Sequence, residues 1–436
     1  MLSLIDLTDT TLDDYSGVLP RGRFDVSHAI EVVRPLCDAV RDEGESALLR
    51  FSERFDHVIP TDLRVPAEAL RDALDQLDPA VRRAIEISIE RRRTVCEQIE
   101  TEQVYRSVEL APGAVVGNAM IPVHRVGLYV PGGLAPLASS VVMNVVPAQV
   151  AGVESLAVAT PPQAEYGGLP HPVTLATCAL LGVDEVYAVG GGQAIAMFAY
   201  GVSGLCPRVD LVTGPGNIYV VAAKRLLRGV VGIDAEAGPT EIAVIADSTA
   251  DPRFVAADLI SQAEHDPMAG SVLITDSREL ADRVGDEVER QVTRLATVDR
   301  LRRALDGEQS GIVLVADIDQ AVDVANDYGA EHLEIQTADA REVARRIRNA
   351  GAIFIGSYAP VPLGDYSAGS THVLPTGSAA RYSSGLTVRS FMKSVHIIDY
   401  SREGLNAIGR GIMDFAEAER LPGHAAAIEV RLEEER

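Results

Sequence analysis

The chain has 436 residues, 47% of them hydrophobic and 23% charged, with no tryptophan and a formal net charge of -24. That length suits about two or three domains with ample buried core. The acidic balance argues against nucleic acid or an anionic membrane surface as partner, yet leaves room for an anionic cofactor, because backbone amides at helix N-termini hold phosphates locally.

Residues 1–20 are acidic and weakly periodic and read as an arm. The start, Met1-Leu2-Ser3-Leu4-Ile5-Asp6, is neither basic nor continuously apolar, so no export signal is read there. From Val26 to about Ile99 apolar residues recur at helical spacing, as in Ile30-Val32-Val33-Leu36 and Leu70-Leu74-Leu77. Arg91-Arg92-Arg93 within that stretch reads as a solvated helix face. Cys37, Cys96, Cys178 and Cys206 lack paired spacing and read as reduced thiols of a cytoplasmic protein.

After Gly113 the pattern changes to strands alternating with helices. Val126 to Val130 precedes Pro131-Gly132-Gly133, and Leu156 to Thr160 precedes Pro161-Pro162. Val186 to Val189 precedes Gly190-Gly191-Gly192-Gln193, and Val209 to Thr213 precedes Gly214-Pro215-Gly216-Asn217. The uncharged run from Val126 to Val153 holds too many Gly and Pro for a lipid-exposed helix, and reads as buried strand, turn and buried helix. The rhythm resumes with strands at Ile242–Ala246, Ser271–Ile274, Gly311–Val315, His332–Ile335 and Ala352–Ile355. Both units imply parallel, doubly wound sheets. From about Tyr382 the chain is Ser/Gly-rich, gives one strand-like piece at Val395–Ile398, and ends in a helical tail.

In such folds ligands bind at the carboxyl ends of strands, and most of the unusual residues are expected there or at a helix terminus. The two glycine-rich turns suit a close backbone approach to a nucleotide, though neither is GxGxxG, and tight structural turns are the plainer reading. Tyr129 is read either as a core tyrosine or as a stacking platform. Ser261-Gln262-Ala263-Glu264-His265 closes a helix-like run that starts near Asp251 and is stopped by Pro267. Gln262 and His265, three apart, share one helix face and with Asp365, His372 and His424 supply mixed N/O donors suited to zinc. The bland alternative is a capped helix end. Glu331-His332 is a general acid/base pair if both residues lie in the turn before the strand, and a surface turn otherwise.

Taken together, these blocks resemble the histidinol dehydrogenase family over nearly the whole chain. They are Tyr129 to Gly133, Gly191 to Ala196, Gly214 to Asn217, Asp234 to Glu241, Ser261 to His265, Gly329 to Leu333, Gly364 to Tyr366, His372 to Thr376, and Glu419 with His424. The resemblance implies two NAD-dependent oxidations, from L-histidinol through the aldehyde to L-histidine. It implies one zinc per subunit of a homodimer, held by Gln262, His265 and Asp365, with His424 arriving from the partner subunit. Glu331 would activate water and His332 would be the general base. Thr240, His372 and Glu419 would join the metal ligands and His332 around the substrate, with threonine at 240 where the family often has serine. Tyr129, Gln193 and Asn217 would line the NAD site. The implied architecture is two incomplete Rossmann-like domains, with an N-terminal helical arm and a C-terminal tail. Residues 1–20 would be the arm, 21–128 plus 241–380 the main domain with metal and catalytic residues, 129–240 the NAD-binding domain, and 381–436 the tail that reaches the partner.

The residues agree with this in one respect. Oxidising an aldehyde to an acid needs a thiol adduct or a hydrated aldehyde; no cysteine sits in a catalytic motif, while a Glu-His pair is present. A zinc hydrolase would leave both glycine-rich turns idle, and a non-catalytic nucleotide-binding protein would leave Glu331 idle.

Overall fold

The structure, a computed structural model, describes residues 2–22, 26–101, 104–132, 135–236 and 238–432; Gly133 and Ala237 of the sequence blocks lie outside these. The strands in chain order are β1 Ser3–Asp6, β2 Tyr105–Ala111, β3 Ala114–Pro122, β4 Arg125–Tyr129, β5 Ser155–Thr160, β6 Val186–Ala188, β7 Leu211–Thr213, β8 Gly232–Ile233, β9 Glu241–Ala246, β10 Gly270–Thr275, β11 Gly311–Leu314, β12 His332–Gln336, β13 Ala352–Ile355 and β14 Met392–Tyr400.

Two parallel sheets result. One has the order β6-β5-β4-β7-β8 and the other β1-β11-β10-β9-β12-β13. The apolar runs from Val126 to Ile355 all become strands. Helices cover both faces of such sheets, so their strands are apolar on both sides; β9 and β10 are buried at every residue. In one sheet the chain steps outward from β4 and then returns past it, and in the other it does the same from β9, which creates switch points between β4 and β7 and between β9 and β12.

Three expectations change. Residues 1–20 are not a free arm: β1 pairs in parallel with β11, from Ser3 opposite Gly311 to Asp6 opposite Leu314, and Leu7, Tyr15 and Leu19 are buried. A four-residue edge strand is too short to announce itself by periodicity. The helices before Gly113 do not belong with the second sheet. Val26–Glu43 packs on Gly191–Tyr200 and Ile218–Leu227, and Ala67–Asp75 packs on Pro172–Leu180, all around the first sheet. An amphipathic face shows that a helix packs, not on which sheet. Finally, Arg92 is fully buried: its guanidinium forks onto Glu100, with Nη1 2.6 Å from Oε1 and Nη2 3.1 Å from Oε2, and it also donates to the Gly369 carbonyl. Bidentate pairing makes burial of that charge tolerable.

A third, antiparallel sheet of order β14-β3-β2 joins the tail to the body. Beyond it, helices Arg402–Ala418 and Pro422–Leu432 pack on each other through Met413, Ala416, Ala425, Ile428 and Leu432. Among the described residues no helix is long and apolar enough to cross a membrane.

Candidate active site

The acid–base residues of the second sheet gather at the amino ends of its strands, not at the carboxyl ends where such sites were expected. Thr240 and Glu241 open β9; Glu331 and His332 open its neighbour β12. The first sheet obeys the usual rule: Tyr129 ends β4, and Gly214-Pro215-Gly216-Asn217 follows β7. The two ends adjoin, because Ser140, in the first turn of the helix that follows β4, places its hydroxyl 3.3 Å from His372 Nε2.

Asp251 caps the helix Pro252–Ala263 by accepting from the Arg253 amide, and Pro252 starts it. Gln262 lies in its last turn. His265 lies just past the end, its backbone amide donating to the Gln262 carbonyl at 3.2 Å, so the pair is assembled by a helix end and the turn after it rather than by one helix face. Opposite stands Asp365, on the short helix Val361–Tyr366 after β13, with His265 Nε2 3.7 Å from Asp365 Oδ2. His372 Nδ1 lies 3.1 Å from the Asp365 backbone carbonyl. Gly364 lets this helix sit close: a Cβ there would stand 2.8 Å from the Phe354 ring, which itself packs on His332 with ring centroids 5.9 Å apart.

A directional chain of hydrogen bonds runs through the centre. The Gln262 side-chain amide donates to Thr240 Oγ1. The Thr240 hydroxyl donates to Glu331 Oε2 at 2.5 Å, and the Glu241 amide donates to the same oxygen at 3.0 Å. His332 Nδ1 is 3.6 Å from that oxygen, so Glu331 and His332 do share one spot, as the turn placement requires. Both are buried. Burial, reinforced by the charges of Glu241 and Asp365, holds the Glu331 carboxyl well above its usual range despite the Thr240 bond. Burial lowers His332 to about 4, against the pull of Asp365. His372 is lowered by burial too.

The donor set fits a cation. Gln262 Oε1 is buried and has no hydrogen-bond partner, an omission that costs about 1–3 kcal/mol unless something else satisfies the oxygen. An amide oxygen, an imidazole and a carboxylate are a mixed N/O set suited to zinc. His424 does not complete it within one chain. It is exposed on the Pro422–Leu432 helix, and among the described residues no three His, Cys, Asp or Glu side chains gather as a metal site. Glu419, at the end of Arg402–Ala418, is exposed as well.

At the first sheet's switch point, Gly214 is clamped. Its amide donates to Asp234 Oδ2 at 2.8 Å, and buried Lys224 Nζ lies 2.7 Å from Asp234 Oδ1 while donating to the Gly214 carbonyl. Gly214 has φ of 113°, and a Cβ would stand 2.0 Å from the Tyr129 carbonyl oxygen, so only glycine serves. Tyr129 offers no ring face for stacking: it is buried in the core, and its hydroxyl accepts the Gly191 amide at 3.0 Å. Gln193 is likewise buried, whereas Asn217 is exposed. Asn217 also caps its own helix, with Oδ1 accepting the Tyr219 and Val220 amides at 3.0 and 3.2 Å, so those amides are not free for phosphate. Sequence reasoning assigns no role to Ser140, Glu241 or the Lys224–Asp234 clamp; the one available signal is Glu241, a charge that opens the apolar run Ile242–Ala246.

A family-wide sequence profile for histidinol dehydrogenase matches residues 19–432. The chain belongs to the histidinol dehydrogenase family. It is 62% identical to the histidinol dehydrogenase of Cutibacterium acnes over 99% of both chains. It is 59% identical to that of Streptomyces avermitilis, covering 99% of this chain and 98% of the relative. The crystal structure of histidinol dehydrogenase from Elizabethkingia anophelis superposes with a TM-score of 0.92 at 32% identity, covering 99% of this chain and 98% of that one. The two-sheet α/β architecture is thus that of a histidinol dehydrogenase, an oxidoreductase.

Proposed function

We propose that the protein oxidises L-histidinol through L-histidinaldehyde to L-histidine in two NAD-dependent steps, with one zinc per subunit, at the end of histidine biosynthesis. The observation that carries this reading is the Gln262–Thr240–Glu331 chain beside a buried, neutral His332, with the unpartnered Gln262 oxygen at one end. Zinc would be held by Gln262 Oε1, His265, Asp365 and the partner subunit's His424, and would anchor the substrate's amino group and imidazole. NAD at the switch point between β4 and β7 would accept a hydride in each step, with Asn217 at its surface and Tyr129 and Gln193 shaping the turn behind it.

The protein's own groups supply the proton chemistry. His332 is neutral at neutral pH and takes the hydroxyl proton of the alcohol, then that of the hydrated aldehyde. Glu331 deprotonates the water that adds to the aldehyde. Its Oε2 is occupied by the Thr240 and Glu241 donors, which leaves Oε1 for the water. Positive charge bound beside Asp365 favours the ionised carboxylate and counters the effect of burial. His372, fixed between Ser140 and Asp365, borders the substrate, as does the partner's Glu419.

A homodimer with shared sites is the assembly this requires. Apolar side chains on the third sheet and tail support it: Ile398 is 74% exposed, Leu110 63% and Phe415 68% in the single chain. A partner surface is the ordinary cover for such side chains. Four buried free cysteines suit the reducing cytoplasm. The test is NADH absorbance on mixing zinc-replete protein with histidinol and NAD, where two NADH per histidinol are expected. No absorbance change would sink the proposal.

A further inference from the structure

A second polar cluster lies beneath the site and has no role in the chemistry above. Glu334 and Gln336 are 1% and 3% exposed and lie on the same face of β12 as His332, because strand side chains repeat every second residue. That face otherwise meets an apolar cluster formed by Ile242, Val244 and Leu259. Asp258, also buried, stands one helical turn before Gln262. Gln336 Nε2 donates to Asp258 Oδ2 at 2.9 Å and to Glu334 Oε2 at 3.1 Å, so one amide holds two carboxyl groups. Among the described residues no cation compensates them: burial and each other's proximity dominate their surroundings. Two adjacent bare carboxylates in a core are prohibitively costly, so the pair shares a proton. Glu334, pushed well above its usual range by burial and by Asp258, is where it resides.

We propose that Asp258, Glu334 and Gln336 form a positioning unit that sets Gln262, His332 and Asp365 in register with one another. The inference rests on the zinc reading of the site. Two members of the cluster and one neighbour each lie one structural repeat from a residue of the site. Asp258 precedes Gln262 by four residues on one helix, and Glu334 follows His332 by two on one strand. The Val361 amide, which faces the Glu334 carboxyl, begins the short helix that carries Asp365 four residues on. The Gln336 amide bonds both carboxyl groups at once, so a slip of the helix against the strand breaks at least one of those bonds, whereas apolar packing tolerates small slips; Glu334 Oε1 and Gln336 Oε1 have no partner and add nothing to the tie. The helix, the strand and the short helix are thus tied at one point directly below the three side chains.

The test uses Glu334→Asp, which retracts the carboxyl by one methylene, and Glu334→Gln, the isostere of a protonated glutamate. Zinc loss to a chelator is followed by elemental analysis, and KM for histidinol and for NAD are measured separately. Glu334→Asp is expected to lose zinc about 10- to 100-fold faster, the usual scale for a displaced support of a metal ligand. Its histidinol KM should rise while its NAD KM stays at the wild-type value. Glu334→Gln should restore both properties. Gln336→Met, similar in volume but without the bridging amide, is expected to behave as Glu334→Asp does, and stands in for it if that variant does not fold. Wild-type zinc retention and wild-type kinetics in the Glu334→Asp or Gln336→Met protein would overturn the inference, as would failure of Glu334→Gln to rescue. Absence of zinc from the wild type would instead overturn the metal reading, and the histidinol KM of Glu334→Asp then decides the positioning role alone.

Discussion

The Thr240 hydroxyl lies 2.5 Å from Glu331 Oε2 and at the same time accepts the Gln262 side-chain amide. A hydroxyl has one proton to give, so the Gln262 donation forces that proton onto Glu331. One threonine therefore orients an amide on the metal side and a carboxyl on the chemical side. The bond also lowers the Glu331 pKa against the effect of burial. Thr240→Val keeps the shape and removes the hydroxyl, stranding a buried donor and weakening the support of Glu331. We expect a loss of about 1–3 kcal/mol in unfolding free energy. The acidic limb of the kcat/KM profile should move to higher pH, since the bond that favours ionised Glu331 is gone. Thr240→Ser should leave both unchanged. An unshifted profile in Thr240→Val would show that Glu331 ionisation does not limit the rate.

Glu331→Gln should separate the two oxidations. The alcohol step uses His332, whereas hydration of the aldehyde uses Glu331. Removing a general base typically costs about two to four orders of magnitude in rate. In a single turnover the first NADH should form near the wild-type rate and the second should be slowed by that factor. Equal slowing of both phases would assign Glu331 to the alcohol step as well.

Gln262→Leu replaces the unpartnered oxygen with a side chain of similar volume. Stability should be little changed, because an unsatisfied buried acceptor is removed. Zinc content after dialysis should fall well below one per subunit, and activity with it. Retention of stoichiometric zinc would remove Gln262 from the ligand set.

The pH dependence of stability has a definite sign at His332, whose ordinary value of 6.5 falls to about 4 in the fold. Above 6.5 neither state is charged and the group contributes nothing. Between 6.5 and 4 the unfolded chain binds a proton that the folded chain refuses, so stability falls, by roughly 3 kcal/mol at 1.36 kcal/mol per unit. Glu331 acts oppositely: its raised pKa costs stability as pH climbs above 4.5, where only the unfolded chain ionises. Zinc-free His332→Gln protein should therefore lose less stability than wild type between pH 6.5 and 4, read from urea midpoints. Identical losses would place the acid sensitivity elsewhere.

Subunit mixing tests the shared site. His424→Ala and His332→Ala chains should each be inactive alone. After exchange, one site of each hybrid dimer combines an intact body with an intact tail, and about a quarter of wild-type activity should return. Persistent inactivity after proven exchange would place His424 in its own chain's site or in none.

Much of this protein is legible in the sequence, for a local reason. Strands β4 to β7 and β9 to β11 are largely buried on both faces and therefore mostly apolar, and glycine turns punctuate them, so the α/β alternation can be read directly. The ordered blocks around Gln262, Glu331, Asp365 and His424 likewise point to the histidinol dehydrogenase family with no structure in hand. Other features rest on contacts across the chain and leave no local trace. β1 becomes a strand only because β11 offers it an edge, and the helix Val26–Glu43 belongs to the first sheet only because its apolar face meets Ile218–Leu227 there. The sequence suits Tyr129 equally to stacking and to the core; the Gly191 amide on its hydroxyl and its burial put it in the core. Tertiary structure alone turned the amino ends of β9 and β12 toward the Ser140 end of the first sheet, and set Asp258 and Glu334 on a single amide. Periodicity records which side of an element is buried; only the packed chain decides what stands against it.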